Sequence, residues 1–307
     1  ATLASSSAKK VIAEVILQCY ALDALGAAEP TDAVSRGGVA QQVQAVSALG
    51  YDARVGASLN GAGGGLRFGA ADIGTFFANP TWVTNAVGDL TSVVGDARGL
   101  ELTVSGAPPD AQPGIVSLAR ALSSALRPSK ELGLFLPPAL GLPTDPPDIE
   151  AFDVANLLPI VDRVHVMTID FSCCGGVPGP NIDSGWAVDA IRFTQTETGN
   201  SPIDIGMPLF GTDFNATTPV HISFAGARQI ADSQGVVTSR SAGGELFFDY
   251  SDAAWATHEV WYEDEKATMM TLATWRPSVI DPAVGIVFYG LGDEDPALWD
   301  QLAVGSP

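Results

Sequence analysis

The sequence predicts an α/β protein, a (β/α)8 TIM barrel forming a single domain over residues 1–307. Three observations carry that expectation. The chain has 307 residues, a length suited to one such barrel, which takes about 250 residues before insertions. Short apolar runs alternate with amphipathic stretches, the rhythm of parallel strands joined by helices. Hydrophobic residues make up 46% of the chain and mean hydropathy is positive, which favours a large core over disorder.

The elements follow in order. Residues 11–23 read as a strand, and residues 38–49 as a helix with Val39, Val43, Val46 and Leu49 at helical spacing and Gly50 as its stop. Strands are expected at residues 54–59, 100–104, 132–136, 164–169, 203–209 and 284–289. Helices are expected at 80–94, 115–126, 151–158 and 184–196. Residues 212–259 are too long for a simple connection and read as a small β-rich insertion before the last helix, with residues 245–250 as one of its strands. At the front, a strand before residue 11 must come from residues 2–6, or else the first barrel strand is not part of this chain.

Composition excludes several classes. Asp and Glu outnumber Lys and Arg by 35 to 15, a net charge of −20. That disfavours nucleic acid and anionic membrane surfaces, because phosphate binding needs clustered cations. No apolar run approaches the roughly 20 residues of a membrane span, and residues 1–10 lack the core of a signal peptide. No cofactor is expected. The three cysteines form no disulfide framework. Cys19 reads as a buried strand residue. Cys173 and Cys174 allow two thiols or a vicinal disulfide, and two thiols are expected. No metal site is expected, since His165, His221 and His258 have no ligand spacing. Residues 61–65 are glycine-rich but lack a phosphate-loop pattern. Residues 215–217 fit a glycosylation sequon of low specificity.

The most telling stretch is Arg98-Gly-Leu-Glu-Leu-Thr-Val-Ser105. With a side-chain period of two, Glu101, Thr103 and Ser105 share one face, and Leu100, Leu102 and Val104 share the other. The stretch resembles the DGxDxDxE signature of glycoside hydrolase family 18, the chitinase and chitinase-like family. Further segments match in order: Ser58-Leu-Asn-Gly61 resembles SxGG, Met167-Thr-Ile-Asp-Phe171 resembles MTYDF, and Gly206-Met-Pro-Leu-Phe-Gly211 resembles GxPxYG. Gly285-Ile-Val-Phe-Tyr-Gly-Leu-Gly-Asp293 resembles GxxFWxLGxD.

The resemblance implies a substrate-assisted mechanism, with a Glu as proton donor, an Asp that orients the acetamide, and a Tyr that contacts it. Here those positions hold Ser105, Thr103 and Ile169, while Arg98 and Glu101 stand at the first two acidic positions. A hydroxyl cannot donate a proton as a carboxylic acid does, and losing general acid catalysis alone costs about 10²–10⁴-fold. Glu101 lies about 13 Å deeper along the strand than Ser105, and is expected as a hydrogen-bonded or protonated core carboxyl. His165 is expected as a satisfied core residue. Asp170 is the acid that survives on the sixth strand, either capping backbone amides or contacting ligand. Asp183, Asp213 and Asp293 are candidates to line a cleft.

Tyr289 stands where the family has its floor Trp and is expected to face a ligand. Phe210, Ser105 and Thr103 complete the expected ligand set, with Phe171, Trp186 and Trp261 as further aromatics near strand ends. The leading reading is a catalytically inactive barrel that binds an N-acetylglucosamine-type glycan or a protein partner. An active hydrolase with displaced acids, such as Asp170 with Glu101, and a scaffold with a closed cleft are the alternatives. The resemblance favours a secreted or periplasmic location.

Overall fold

The computed structural model describes residues 2–31, 36–59, 70–173, 177–199, 202–215, 219–276 and 284–305. Contacts divide the chain into two compact units. The amino-proximal unit comprises Ile12–Val166 and Phe193–Ile203; the carboxy-proximal unit comprises Ala1–Val11, Met167–Arg192 and Asp204–Pro307.

The amino-proximal unit is built on β1 (Glu14–Leu22), β2 (Ala28–Pro30), β3 (Asp52–Leu59), β4 (Gly99–Val104), β5 (Glu131–Leu136) and β6 (Arg163–Val166). The order β2-β1-β3-β4-β5-β6 is parallel throughout except for β2, a short antiparallel edge strand. Interior strand β4 is therefore flanked by β3 and β5, as its sequence predicts. The helix Pro80–Val94 forms as expected: the Asn79 side chain accepts from the backbone N–H of Thr81 and Trp82, Pro80 sits in the first turn, and Gly95 ends it at φ +50°. Its buried Ala86, Leu90 and Val94 lie under the sheet. The helix Gln112–Leu126 buries Ile115, Leu118 and Leu122 in the same way.

In the carboxy-proximal unit, β7 (Ile203–Pro208) neighbours a later strand of the main sheet. Next come β8 (Gly211–Asn215), β9 (Val220–Ile222), β10 (Ser239–Arg240), β11 (Leu246–Ser251) and β12 (Thr257–Tyr262). The neighbour of β7 is β13 (Val284–Tyr289). The main sheet thus has eight strands, mostly parallel, and the fold is α/β. The insertion is a separate five-stranded antiparallel sheet in the order β10-β11-β12-β8-β9. Phe248, Val260 and Tyr262 bury one face of it against Ala227 and Ala231. Those alanines lie on the helix Phe224–Gln234, capped by Ser223 and ended by Gly235 at φ +65°.

Several expectations are corrected. Residues 2–6 contain no strand: Thr2–Ala4 is a 3-10 turn, followed by the helix Ala8–Val11. The strand expected at 164–169 stops at Val166; Met167–Ile169 continue as irregular chain to Asp170, which takes φ +60°. The helix expected at 151–158 is reduced to Val154–Leu157 after a 3-10 turn over Pro147–Ala151. Cys19 is half-buried, and Cys173 is disulfide-bonded where a thiol was expected. Cys174, the glycine-rich 61–65 segment, the Asn60-Gly61 end of the SxGG-like element and Ala216-Thr217 of the sequon lie outside the described residues.

Candidate functional site

Strand β4 decides what the signature-like stretch can do. Leu100 and Leu102 are fully buried on the helix-facing side, and Glu101 and Thr103 occupy the other face. Glu101 is fully buried and ion-paired to the Nε of Arg54, which is itself fully buried. His165 Nε2 lies 2.9 Å from Glu101 Oε2 and donates to that carboxylate, while its ring stacks on Phe135 at 4.5 Å.

Two glycines flank Glu101 in register, Gly56 on β3 and Gly133 on β5. A Cβ on Gly133 would collide with the Glu101 carboxylate, and one on Gly56 with the Gln18 side chain. A large polar side chain thus alternates with a glycine across the layer Gln18–Gly56–Glu101–Gly133, so the sheet can carry Gln18 and Glu101 side by side with small residues between them.

Toward the start of the strands the charges continue to alternate. Arg54 Nη1 meets Glu131 Oε2 at 2.7 Å and Glu14 Oε2 at 3.8 Å. Arg98 bridges Glu131 at 2.7 Å and Asp52 at 3.2 Å, and Arg163 meets Glu14 at 2.8 Å. Burial pushes the Glu131 carboxyl up, but hydrogen bonds from Arg54 and Arg98 outweigh it and hold Glu131 below the usual carboxylate range. Arg98 and Glu101, at the first two signature positions, are therefore structural charges. Glu101 is a hydrogen-bonded buried carboxyl, and His165 is a buried ring that reaches it through Nε2. Arg54 went unremarked in the sequence, although a lone cation in a buried strand signals a buried anion on a neighbour.

The other end of β4 carries no carboxylate. Thr103 is almost buried between Ser58 and Phe135 in register. Ser105, just past the strand, is half-buried and donates its backbone N–H to Leu59 O at 3.2 Å. Neither side chain can act as an acid near neutral pH.

In the carboxy-proximal unit, residues from the ends of β7 and β13 converge with the segment after β6. Leu209 N donates to Tyr289 O at 2.8 Å, which sets Phe210 beside the end of β13. Gly290, at φ +84°, turns the chain so that Asp293 returns over Phe210; a Cβ there would stand 3.1 Å from the Phe210 ring and 3.4 Å from Asp293 Oδ2. His221 packs edge-on to Phe210 at 4.2 Å, with its Nε2 3.5 Å from Asp293 Oδ2. The Asp170 side chain reaches solvent on one side, yet desolvation by packing on the other raises its carboxyl above the usual range, against the lowering effect of His221.

Asp170, Phe210 and Asp293 thus gather with Tyr289 in one neighbourhood, half-buried rings beside acids. His221, set aside on spacing, belongs to it. No local signal marks it, because its neighbours come from distant strands. Ile169 is buried and offers no hydroxyl. Phe171, 44% exposed, packs on Trp186 at 5.2 Å. Asp213, by contrast, is buried in the small sheet, accepting from Tyr250 Oη at 2.8 Å and lying 2.8 Å from His258 Nδ1. Asp183 accepts from Trp186 N at the start of the helix Ser184–Glu197. Trp261 stacks on Phe247 at 4.7 Å within the small sheet. Among the described residues no group of His, Cys, Asp and Glu could hold a metal, and no helix is long and apolar enough to cross a membrane.

No family model matches the chain. The fold is that of solved chitinases of family 18 and of spore cortex-lytic enzymes, which places this α/β chain in the TIM-barrel class. It is similar to a chitinase from Chromobacterium violaceum, with TM-score 0.80 and 18% identity over 99% of this chain and 95% of that one. It is also similar to the Bacillus cereus spore cortex-lytic enzyme SleL, with TM-score 0.79 and 18% identity over 99% and 69%. A third likeness is to a GH18 chitinase from Cycas revoluta solved in complex with (GlcNAc)4, with TM-score 0.73 and 15% identity over 98% and 94%. Among curated proteins of Bacillus subtilis, the cortical fragment-lytic enzyme is 28% identical over 163 residues, 50% of this chain and 37% of that protein. The uncharacterized glycosylase YvbX is 24% identical over 162 residues, 50% and 45%. The chain therefore spans less than half the length of these curated relatives.

Proposed function

We propose that this chain is a chitinase-like domain that binds a glycan of the N-acetylglucosamine type and does not cleave it. The observation that supports this reading best is the state of β4. Its one acid, Glu101, is buried and committed to Arg54 and His165, and its outer end presents only the hydroxyls of Thr103 and Ser105. The glycan-related part of the reading rests on the likeness to chitinases and cortex-lytic enzymes, one of them holding (GlcNAc)4. On the carboxy-proximal unit, Tyr289 and Phe210 supply apolar surface, and Asp170 and Asp293 supply acceptors for sugar hydroxyls, the usual mixture in a small-molecule site.

One observation favours a second reading: Asp170 has a raised carboxyl beside His221, as a displaced general acid would. Assay of chromogenic N-acetylglucosamine oligomers, with calorimetry on the same oligomers and a wider glycan panel, separates the readings. Binding without turnover is expected, with Tyr289→Ala weakening it by about 1–3 kcal/mol. Turnover abolished by Asp170→Asn would make the domain a hydrolase. Binding to no glycan on the panel would leave an interaction module.

A further inference from the structure

Glu245, between β10 and β11, and Glu263, just after β12, are 2% and 3% exposed. The Glu245 carboxylate gathers three donors from one short strip. Asn181 N lies 3.0 Å and Asn181 Nδ2 3.3 Å from Oε2, and Ile182 N lies 2.9 Å from Oε1. The strip is tied further: Thr212 Oγ1 donates to Asn181 Oδ1 at 2.6 Å, Phe171 N to Asn181 O at 2.9 Å, and Ser172 N to Pro180 O at 3.1 Å. The Glu263 carboxyl lies close enough to that of Glu245 to share a hydrogen bond with it. Its own second partner is Thr268 Oγ1, at 3.5 Å from Oε2, while its Oε1 has no partner.

Among the described residues no cation is ion-paired to either carboxylate, and Arg240 acts on Glu263 only at longer range. The nearby charges are Asp264, which adds repulsion, and Arg240, which is held by Asp264 at 2.9 and 2.6 Å. Two ionised carboxylates cannot share a buried site without a countercharge. A proton must therefore stand in for the missing cation.

We infer that Glu245 and Glu263 form a proton-dependent latch that holds the strip Pro180–Ile182, and through it Phe171 and Ser172, to the β10–β11 hairpin. Burial raises both carboxyls, Glu245 to about 7 and Glu263 well above its ordinary value, with Glu263 pushed further by Glu245. The two protons belong to the pair as a unit. When the strip lets go, water reaches the carboxyls and they return toward 4.5. The closed state therefore binds protons more tightly than the open one. Closure is full below about 4.5, weakens as pH rises toward 7, and keeps weakening above 7 while Glu263 still holds its proton. Each proton lost on opening multiplies the open fraction about tenfold per pH unit.

Asn181 lies in the segment that follows Asp170 and Phe171, so the latch would set how firmly those two residues are presented. It stands whether or not a glycan binds there.

The test is amide exchange at Asn181 and Ile182 between pH 5 and 9 in the intact chain, corrected for intrinsic rates, with β11 amides as internal control. Protection at the strip should fall by about tenfold or more per pH unit relative to β11. Glu263→Gln keeps a donor to Glu245 but cannot ionise, so the slope should become shallower. Equal slopes at the strip and in β11, or an unchanged slope in Glu263→Gln, overturn the inference. If that variant does not fold, infrared titration of the wild-type carboxyl band decides: a buried carboxyl titrating near 7 is expected, and its absence overturns the latch.

Discussion

Each compact unit buries glutamates, and the two solve the resulting charge problem in opposite ways. In the amino-proximal unit Glu101 is met by the guanidinium of Arg54 and by His165, with Glu131 and Glu14 matching the rest of the arginine's charge. In the carboxy-proximal unit Glu245 and Glu263 meet backbone amides, the Asn181 side-chain amide, one hydroxyl and each other. A fixed cation does not respond to pH in the physiological range, because an arginine cannot be deprotonated there. A proton does respond. The comparison teaches that a buried acid acts as a strut or as a sensor according to what neutralises it, not according to how deeply it is buried.

The largest way to break the contrast is to remove the strut's cation. Arg54→Met leaves Glu101 buried with only a histidine, and should destabilise the amino-proximal unit by about 3–5 kcal/mol, read from denaturant unfolding. A loss below about 1 kcal/mol would mean that the Arg54–Glu101 pair contributes little to the stability of this unit. Gly133→Ala should come next. The new methyl group occupies space held by the Glu101 carboxylate, and overpacking of this kind costs about 1–3 kcal/mol. An unchanged melting temperature would show that the layer has room to spare. The smallest effect sharpens the comparison on the other side. Asn181→Ala removes one donor to Glu245 and the acceptor of Thr212, and should cost on the order of 1 kcal/mol. It leaves both backbone donors to Glu245 in place, so the pH dependence of exchange at Ile182 should survive.

Much of the framework was legible because the signals are local. The helix Pro80–Val94 is written in Asn79, Pro80 and Gly95, whose capping and turn chemistry act within one turn. The alternation in Leu100–Val104 places Glu101 and Thr103 on one face and the leucines on the other, and the sheet buries both faces. The replacement of the expected proton donor by Ser105, and of its neighbours by Thr103 and Ile169, is likewise a property of the sequence as it stands. The early end of β6 was not legible, because residues 164–169 read as one apolar strand and nothing local in them marks Val166 as its last residue.

What the chain determined by itself is where strands and helices run, which face of each is apolar, and which functional groups are present to react. Only the tertiary structure decided which partner each charged or aromatic group would find. Arg54 meets Glu101, His221 meets Phe210 and Asp293, and Glu245 meets Asn181 across long separations in sequence. Periodicity and capping arise from bonds within a few residues. The ionisation of a buried group depends instead on the few ångströms around it, and those are filled by whichever distant strand the fold brings there.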